Sequence, residues 1–442
     1  MKIGIDLLLV IFYFLVVLII GIFAARKQSK EDFLIAERKL GIFSIATSVA
    51  ASFMGGGILV AYVSYVYQFG LAALWLFVGI IAGFLLLLLY QKKLKRLADK
   101  EEFYTISDYF KFKYGKNTGL ISVIVVLLYF FFFLMIELIA GGKILSSLLE
   151  IPYAFAVIIM AIVVLIYLGL GGFKSVIKTD VFQYLIVLIF AIVIVFFVTN
   201  GNPIPFAELD MANMGFGTSF AFVILGMFGT FVAPDLWQRV YAAKNVKTAR
   251  KALYWSSGLV FVFGFAIALI GIIAKVNFPN ILAEEALVYG LSNLLPVGIL
   301  GLGLVMLFAV IMSSMDTALF VLGMNISEDI ARNRKELSKK QLMNITRWAI
   351  LGFTVLSVLV SIFIQDIITI ALAGASISYC LIPAIIGSFH FNLKRKAVFL
   401  SVLTGIISVI LILSLGYISP ESSLIALPIS FVFLLIGQFV FK

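Results

Sequence analysis

The chain has 442 residues, of which 63% are hydrophobic and 12% are charged. That balance excludes a soluble globular domain, in which roughly 45–50% of residues are apolar and about 25% are charged. The formal net charge of +11 would suit a nucleic-acid partner. The basic residues, however, cluster in short loops between apolar runs, so we expect no nucleic acid.

Apolar runs of about 20 residues recur along the whole sequence, and each is long enough to cross roughly 30 Å of hydrocarbon as a helix. We therefore predict an all-α polytopic membrane protein with about thirteen transmembrane helices. In chain order the expected spans are 4–24, 42–68, 71–90, 118–149, 151–170, 180–199, 216–236, 252–274, 296–328, 344–364, 366–390, 397–416 and 422–441. Residues 1–442 then form a single integral membrane domain.

Basic residues mark every second loop. Lys and Arg concentrate in segments such as 91–117, 239–251 and 332–347, whereas the intervening segment 200–215 contains none. Because loops rich in Lys and Arg stay in the cytoplasm, we predict a multi-pass protein of the cell (plasma or inner) membrane. Its N-terminus is expected outside and its C-terminus inside.

Cysteine and histidine are scarce. Cys380 lies within an apolar span and His390 lies at the end of one, and there is no second residue of either type. This excludes a disulfide framework, a His-based metal centre and a Ser-His-Asp triad. We expect neither an enzyme nor a bound cofactor.

Two spans contain residues that an uninterrupted helix disfavours, since each glycine costs about 1 kcal/mol relative to alanine. The second span has three consecutive glycines and the seventh has two glycines and a proline: Gly55, Gly56, Gly57, Gly226, Gly229 and Pro234. Their separation by five spans indicates two five-helix inverted repeats, 42–199 and 216–390. The span 4–24 then precedes the repeats, and 397–441 forms two helices after them. Close helix packing is the alternative explanation for a single glycine.

The run LFAVIMSSMDTALFV at 307–321 places polar residues inside an otherwise apolar span. An aspartate near the membrane centre, here Asp316, costs roughly 2.5–3.5 kcal/mol on insertion scales, so it needs compensation. Four positions share one helical face: Val310, Ser313, Ser314 and Thr317. Such a face suits a hard monovalent cation, with carbonyls of an unwound helix completing its shell. Serines bonded to their own helix are the alternative.

Two further carboxylates lie in apolar surroundings. Asp180 opens the sixth predicted span, where either a helix N-cap or a functional role explains it. Glu137 lies in the middle of a span, and intramembrane carboxylates usually pair or line a pathway. Glu137 thus suggests an amine or cationic group on a ligand. Tyr62 and Tyr65 follow the glycine triplet and are candidates to close over a solute, although most aromatic residues here pack.

Five segments, in order, resemble motifs of the sodium:solute symporter family, which includes proline, pantothenate, sugar, sialic acid and iodide carriers. They read SKEDFLIAERKLG, EEFYTISDYFKFKYG, GGFKSVIKTDVFQ, PDLWQRVYAAKNVKTARKA and MSSMDTALF. Each falls in the loop or span where the family has its motif, and the resemblance runs nearly from end to end.

The resemblance implies a leucine-transporter-type fold and sodium-driven import of a small organic solute by alternating access. It also implies a principal sodium site made of carbonyl oxygens and hydroxyls: Ala51, Met54, Val310, Ser313 and Ser314. Asp180 matches a family carboxylate linked to a second, inner sodium, with Ser314 and Thr317 as neighbours there. The same pair, Asp180 and Thr317, is the candidate inner gate.

The predicted solute pocket lies beside the broken helices and comprises seven residues: Phe53, Gly55, Gly56, Tyr62, Tyr65, Glu137 and Phe228. The sequence departs from the family pattern here. Phe53 stands where some members have aspartate, and Glu137 where many have glutamine. The solute contacts of other members therefore do not transfer to this chain.

Two other functions remain open from the sequence. Proton coupling through Glu137 or Asp180 is one, and a channel or sensor built on the same scaffold is the other. The expected partners are a small-molecule solute, sodium and the lipid bilayer, with sodium as the coupling ion. The identity of the solute, the stoichiometry and the oligomeric state, with a monomer among the options, stay open.

Overall fold

The computed structural model describes residues 4–24, 29–331 and 337–441, and the regular elements in these ranges are helices. They are α1 Ile5–Ala24, α2 Lys30–Ile35, α3 Ile42–Phe53, α4 Gly56–Phe69, α5 Trp75–Lys100, α6 Ile106–Tyr114, α7 Lys116–Leu149, α8 Tyr153–Thr199, α9 Phe216–Val232, α10 Pro234–Ala242, α11 Val246–Asn277, α12 Ala286–Leu294, α13 Ile299–Met324, α14 Lys339–Phe363, α15 Ile367–Tyr379, α16 Ile382–His390, α17 Arg395–Ser414 and α18 Ala426–Val440. A π-helical stretch, Asn325–Ala331, extends α13. Residues 332–336, which belong to the basic segment 332–347, lie outside the described residues.

Ten helical segments in the described ranges are long and apolar enough to cross a membrane, or eleven if α9 and α10 count as one bent span. The all-α polytopic fold is thus confirmed. The larger number of about thirteen spans stays a prediction. Two of the expected spans, 42–68 and 151–170, contain the short apolar helices Ile42–Phe53 and Tyr153–Ile166.

Helices α3 and α4 are two halves of one interrupted helix. α3 ends at Phe53 and α4 begins at Gly56, so the break predicted at the glycine triplet is confirmed. A side chain at Gly57 would overlap Ile136 of α7. Glycine is therefore favoured here because the side chain of Ile136 already fills the space that a Cβ would need.

The second interruption lies between α9 and α10, which are bent by 44°. It falls at Ala233, and Pro234 is the first residue of α10, where the missing N–H of proline is tolerated. α9 runs through Gly226 and Gly229 without a break. A Cβ at Gly226 would meet backbone atoms of α5. The expectation that these two glycines interrupt the span is wrong: Gly226 allows close packing instead.

Helix α8 is divided at Gly172, which has φ 55° and ψ −157°. The second half is helical from residue 173 onward, so Asp180 lies two turns inside it. The interpretation of Asp180 as a helix N-cap is therefore wrong, because its side chain is far from the free amides of the first turn.

Helix α13 forms the centre of the molecule. It packs against α1, α3, α7, α8 and α14, and its membrane-spanning stretch is buried throughout. Its first turn is capped from α1, because Asp6 Oδ1 accepts hydrogen bonds from Gly298 N at 2.8 Å and Gly301 N at 2.7 Å. The polar run of α13 is consequently shielded from lipid on every side.

Candidate cation and solute site

The break between α3 and α4 lies against the middle of α13. The Ser313 hydroxyl is 3.2 Å from the carbonyl oxygen of Ala51 and 2.9 Å from that of Val310, and it can donate to either. Ser314 Oγ donates to the Val310 carbonyl at 3.1 Å. Met54 caps α3 in the same turn of chain and is also buried. Four of the five residues predicted to bind sodium are thus in direct contact, and the fifth is adjacent to them.

The donor set of this cluster fits a small hard cation. Its members offer only neutral oxygen atoms, which suits a monovalent ion better than a transition metal. In the part of the chain that the structure describes, no three His, Cys, Asp or Glu residues are grouped to hold a metal ion. Ser314 bonds back within its own helix, as membrane serines often do. The contact between Ser313 and Ala51 joins two helices, which such back-bonding does not explain.

Glu137 of α7 lies at the N-terminus of α4. Its carboxylate accepts hydrogen bonds from Gly56 N at 2.7 Å and Gly57 N at 3.3 Å, and the side chain is fully buried. A negative charge is favourable there because the first amides of a helix have no intrahelical partner and carry the positive end of its dipole. Glu137 therefore holds the second half of the broken helix in place.

A buried network centred on an arginine lies beside the serine cluster. The guanidinium of Arg239 donates to four side chains: Nε to Ser48 Oγ at 2.8 Å, Nη1 to Asp235 Oδ2 at 3.0 Å, and Nη2 to Asp180 Oδ2 and to Thr317 Oγ1, each at 3.0 Å. Ser48 Oγ also donates to Asp180 Oδ2 at 2.5 Å. Asp180 Oδ1 is buried and accepts no hydrogen bond in the described ranges. The network joins α3, α8, α10 and α13.

Arg239 links the two predicted inner-site residues, because its Nη2 atom donates hydrogen bonds to both Asp180 and Thr317. Sequence reasoning missed both Arg239 and Asp235, since it assigned PDLWQR to a cytoplasmic loop motif. A signal was present: Asp235 and Arg239 are four residues apart directly after Pro234, and such a pair shares one helical face.

A central cavity of about 1250 Å³, its open part included, lies beside the α3–α4 break and is bounded by α5, α7, α9 and α15. Three of the residues predicted for the solute pocket, Phe53, Tyr62 and Tyr65, line this cavity. Residues that were not predicted add polar atoms: Ser52, Tyr129, Thr230, Asp235 and Tyr379. Ser52 Oγ donates to Asp235 Oδ2 at 2.8 Å. The cavity thus combines aromatic walls with a few polar groups, as small-molecule sites do.

Four of the predicted pocket residues lie elsewhere. Gly55, Gly56 and Glu137 lie behind the cavity wall, where the carboxylate meets the amides of α4. Phe228 lines a separate cavity between α9, α16 and α18. The reason is helical geometry: a residue two positions from Gly226 points to nearly the opposite side of α9.

Comparisons with known proteins agree with this geometry. The family model of the sodium:solute symporter family matches residues 33–201 and 208–416. The osmoregulated proline transporter OpuE of Bacillus subtilis is 27% identical over 86% of this chain and 82% of its own length. Sodium/proline symporter 2 of Staphylococcus saprophyticus is 24% identical over 94% of this chain and 87% of its own length.

Among solved structures, a Na⁺-coupled sialic acid symporter in its substrate-bound outward-open state superposes with a TM-score of 0.85 at 18% identity. The superposition covers 100% of this chain and 98% of that one. The inward-facing structure of Mhp1 gives a TM-score of 0.58 at 15% identity, over 90% and 91% of the two chains. The two superpositions show a shared fold.

Fold and site together define a polytopic membrane transporter built around broken helices, and not an enzyme. The family match covers most of the sequence. The chain belongs to the sodium:solute symporter family and is a sodium-coupled solute symporter.

Proposed function

We propose that this symporter imports its solute by alternating access, with sodium bound between Ala51, Met54, Val310, Ser313 and Ser314. The observation that carries the proposal is the contact of Ser313 Oγ with the Ala51 carbonyl at 3.2 Å. It brings hydroxyls of α13 within reach of the last carbonyls of α3, where the helix is interrupted; the Ala51 carbonyl also accepts a hydrogen bond from Met54 N at 3.3 Å. Exposed backbone at membrane depth is tolerated where it binds a ligand or lines a cavity.

A bound ion at this position bridges α3 and α13. Sodium entering from outside stabilises the outward-open arrangement, and rocking of one helical group against the other then releases ion and solute inside. One sodium ion moving through ~100 mV supplies about 2.3 kcal/mol, and a tenfold gradient adds about 1.4 kcal/mol. Together they support accumulation of a neutral solute by several hundredfold.

We further propose that Asp180 and Thr317 belong to an inner gate or to a second sodium position. Support comes from the free oxygen of Asp180 in the described structure and from the Arg239 network around it. The network ties together four helices that must separate for the inner side to open. A cation bound at Asp180 would compete with Arg239 for that carboxylate, and so couple ion binding to opening of the gate.

The proposed arrangement in the membrane has about thirteen spans, with the N-terminus outside and the C-terminus in the cytoplasm. The repeats are 42–199 and 216–390, preceded by 4–24 and followed by 397–441. Two interruptions support this division, since one lies between α3 and α4 and the other between α9 and α10. They occupy corresponding positions at the start of each half.

The solute pocket is the central cavity, with Phe53, Tyr62 and Tyr65 among its walls. Proline is the first solute to test, because the relatives compared above are named as proline transporters. The cavity leaves room for a small metabolite with an apolar body.

A thermal-shift screen of the purified protein, with sodium or potassium as the only alkali cation, tests the proposal. We expect at least one solute among amino acids, amines, sugars and vitamins to stabilise the protein in sodium only. Reconstituted vesicles with a sodium gradient should then accumulate that solute. Sodium-independent, pH-dependent uptake would favour proton coupling, and ionic current without accumulation would favour a channel.

A further inference from the structure

We propose that the solute is a small organic cation, an amine or quaternary ammonium compound that lacks a carboxylate. This inference rests on the proposed function, because it names the solute class for the proposed pocket. It differs from what the proline transporters among the relatives carry, since proline is a zwitterion. Two features of the site support it: the aromatic cavity walls, and a lining that contains one carboxylate and no cationic side chain.

The walls of the cavity suit a cation. Eight aromatic side chains contribute to them, among them Phe53, Tyr65, Tyr129, Phe133, Phe222 and Tyr379. The rings of Tyr129 and Phe133 are parallel, with centroids 6.2 Å apart, and Tyr65 meets Phe222 edge to face at 4.9 Å. The negative face of an aromatic ring attracts an ammonium group, most strongly where water is excluded.

Asp235 is the only charged residue among those that line the cavity, and no Lys, Arg or His is among them. Its Oδ2 atom is already used, because Ser52 Oγ and Arg239 Nη1 both donate to it. No residue in the described ranges donates a hydrogen bond to Oδ1. Asp235 thus offers one carboxylate oxygen to an ammonium group in the cavity.

A solute carboxylate, by contrast, finds no cationic side chain in the cavity lining. The donors that it would meet are neutral hydroxyls such as those of Tyr62 and Thr230, which have no hydrogen-bond partner in the described ranges. Arg239 is fully buried, and its guanidinium is already hydrogen-bonded to Ser48, Asp180, Asp235 and Thr317. In transporters with broken helices, the N-terminus of a half-helix is the usual partner of an anionic substrate group. Here the protein's own Glu137 occupies those amides of α4. An anionic group in the cavity would therefore meet Asp235 without a compensating positive charge.

The test uses one ring in three charge states. Purified protein in saturating sodium chloride is titrated with prolinamide (a cation), proline (a zwitterion) and N-acetylproline (an anion), and binding is followed by thermal shift. Tetramethylammonium is added as a quaternary cation without the ring. We expect prolinamide to bind at least about tenfold more tightly than proline, and N-acetylproline to have no effect. Equal or tighter binding of proline, or no stabilisation by either cation, would overturn the proposed solute class.

Failure of the solute class and failure of sodium coupling give different results. If prolinamide stabilises the protein equally in potassium and in sodium, the cation preference holds and sodium coupling does not. If proline stabilises it only in sodium and binds at least as tightly as prolinamide, coupling holds and the cation class does not.

The variant Asp235→Asn tests the role of the carboxylate, with Asp210→Asn on an exposed outer loop as the matched control. Asp235→Asn should bind prolinamide and proline within about threefold of each other, while the control keeps the full preference. Unchanged preference in Asp235→Asn would contradict recognition by Asp235. Should that variant fail to fold, the ligand series on the unmodified protein still decides the solute class.

Discussion

Replacing Arg239 by lysine should weaken the buried network strongly while keeping its positive charge. The guanidinium of Arg239 donates to four side chains, three on other helices and one on its own. The ammonium group of a lysine has only three donors, all on one nitrogen atom, so it cannot make all four contacts. Hydrogen bonds to charged groups contribute about 1.5–3 kcal/mol each. Loss of one or two of them in Arg239→Lys should therefore lower the free energy of unfolding by about 3 kcal/mol.

The same change should also shift the transport cycle. If the network closes the inner side, its loss favours the inward-open state, and each 1.4 kcal/mol changes that equilibrium tenfold. We expect a lower thermal midpoint in detergent and weaker apparent sodium affinity in vesicles. Arg250→Lys is the matched control, since Arg250 is exposed on α11 and lies over the ring of Tyr254. Wild-type stability and sodium dependence in Arg239→Lys would refute the gate.

Two further substitutions test other parts of the fold. Gly57→Ala should lower the free energy of unfolding by about 1–3 kcal/mol, because the added methyl group would overlap Ile136. The control is Gly258→Ala, which has open space around the added methyl group and should leave the thermal midpoint unchanged or slightly raised. Burial raises the pKa of Asp108 on α6, outside the membrane-spanning helices, although backbone amides that donate to it act in the opposite direction. A raised pKa in the folded state means that this carboxyl favours folding at acid pH and that its contribution is lost as pH rises through the folded pKa. As the pH rises above about 4, the thermal midpoint of Asp108→Asn should therefore fall less than that of the unmodified protein. The same pH profile in both proteins would contradict this.

The interrupted first helix and the polar run of α13 could be predicted because their signals are local. Three glycines in a row disfavour a helix whatever surrounds them. The shared face of Ser313 and Ser314 follows from helical periodicity alone. Contact of that face with Ala51, by contrast, required the resemblance to a known family.

The rest of the site depends on how helices rotate and bend, which periodicity does not determine. The position of Phe228 outside the central cavity reflects the rotation of α9. Asp235 lies in the cavity wall because the chain bends at Ala233 and begins α10 within the protein. Glu137 was correctly singled out as an unusual carboxylate, but its contact with the amides of α4 depends on the tertiary fold.

Sodium dependence of solute uptake in serine variants tests the proposed ion site most directly. Ser313→Ala and Ser314→Ala each remove one hydroxyl, and we expect each to raise the sodium concentration for half-maximal uptake by about tenfold, which corresponds to 1.4 kcal/mol. Ser408→Ala is the matched control, because Ser408 is buried on α17 and donates only within its own helix. An unchanged sodium requirement in both α13 variants would contradict sodium binding where the broken helix meets α13.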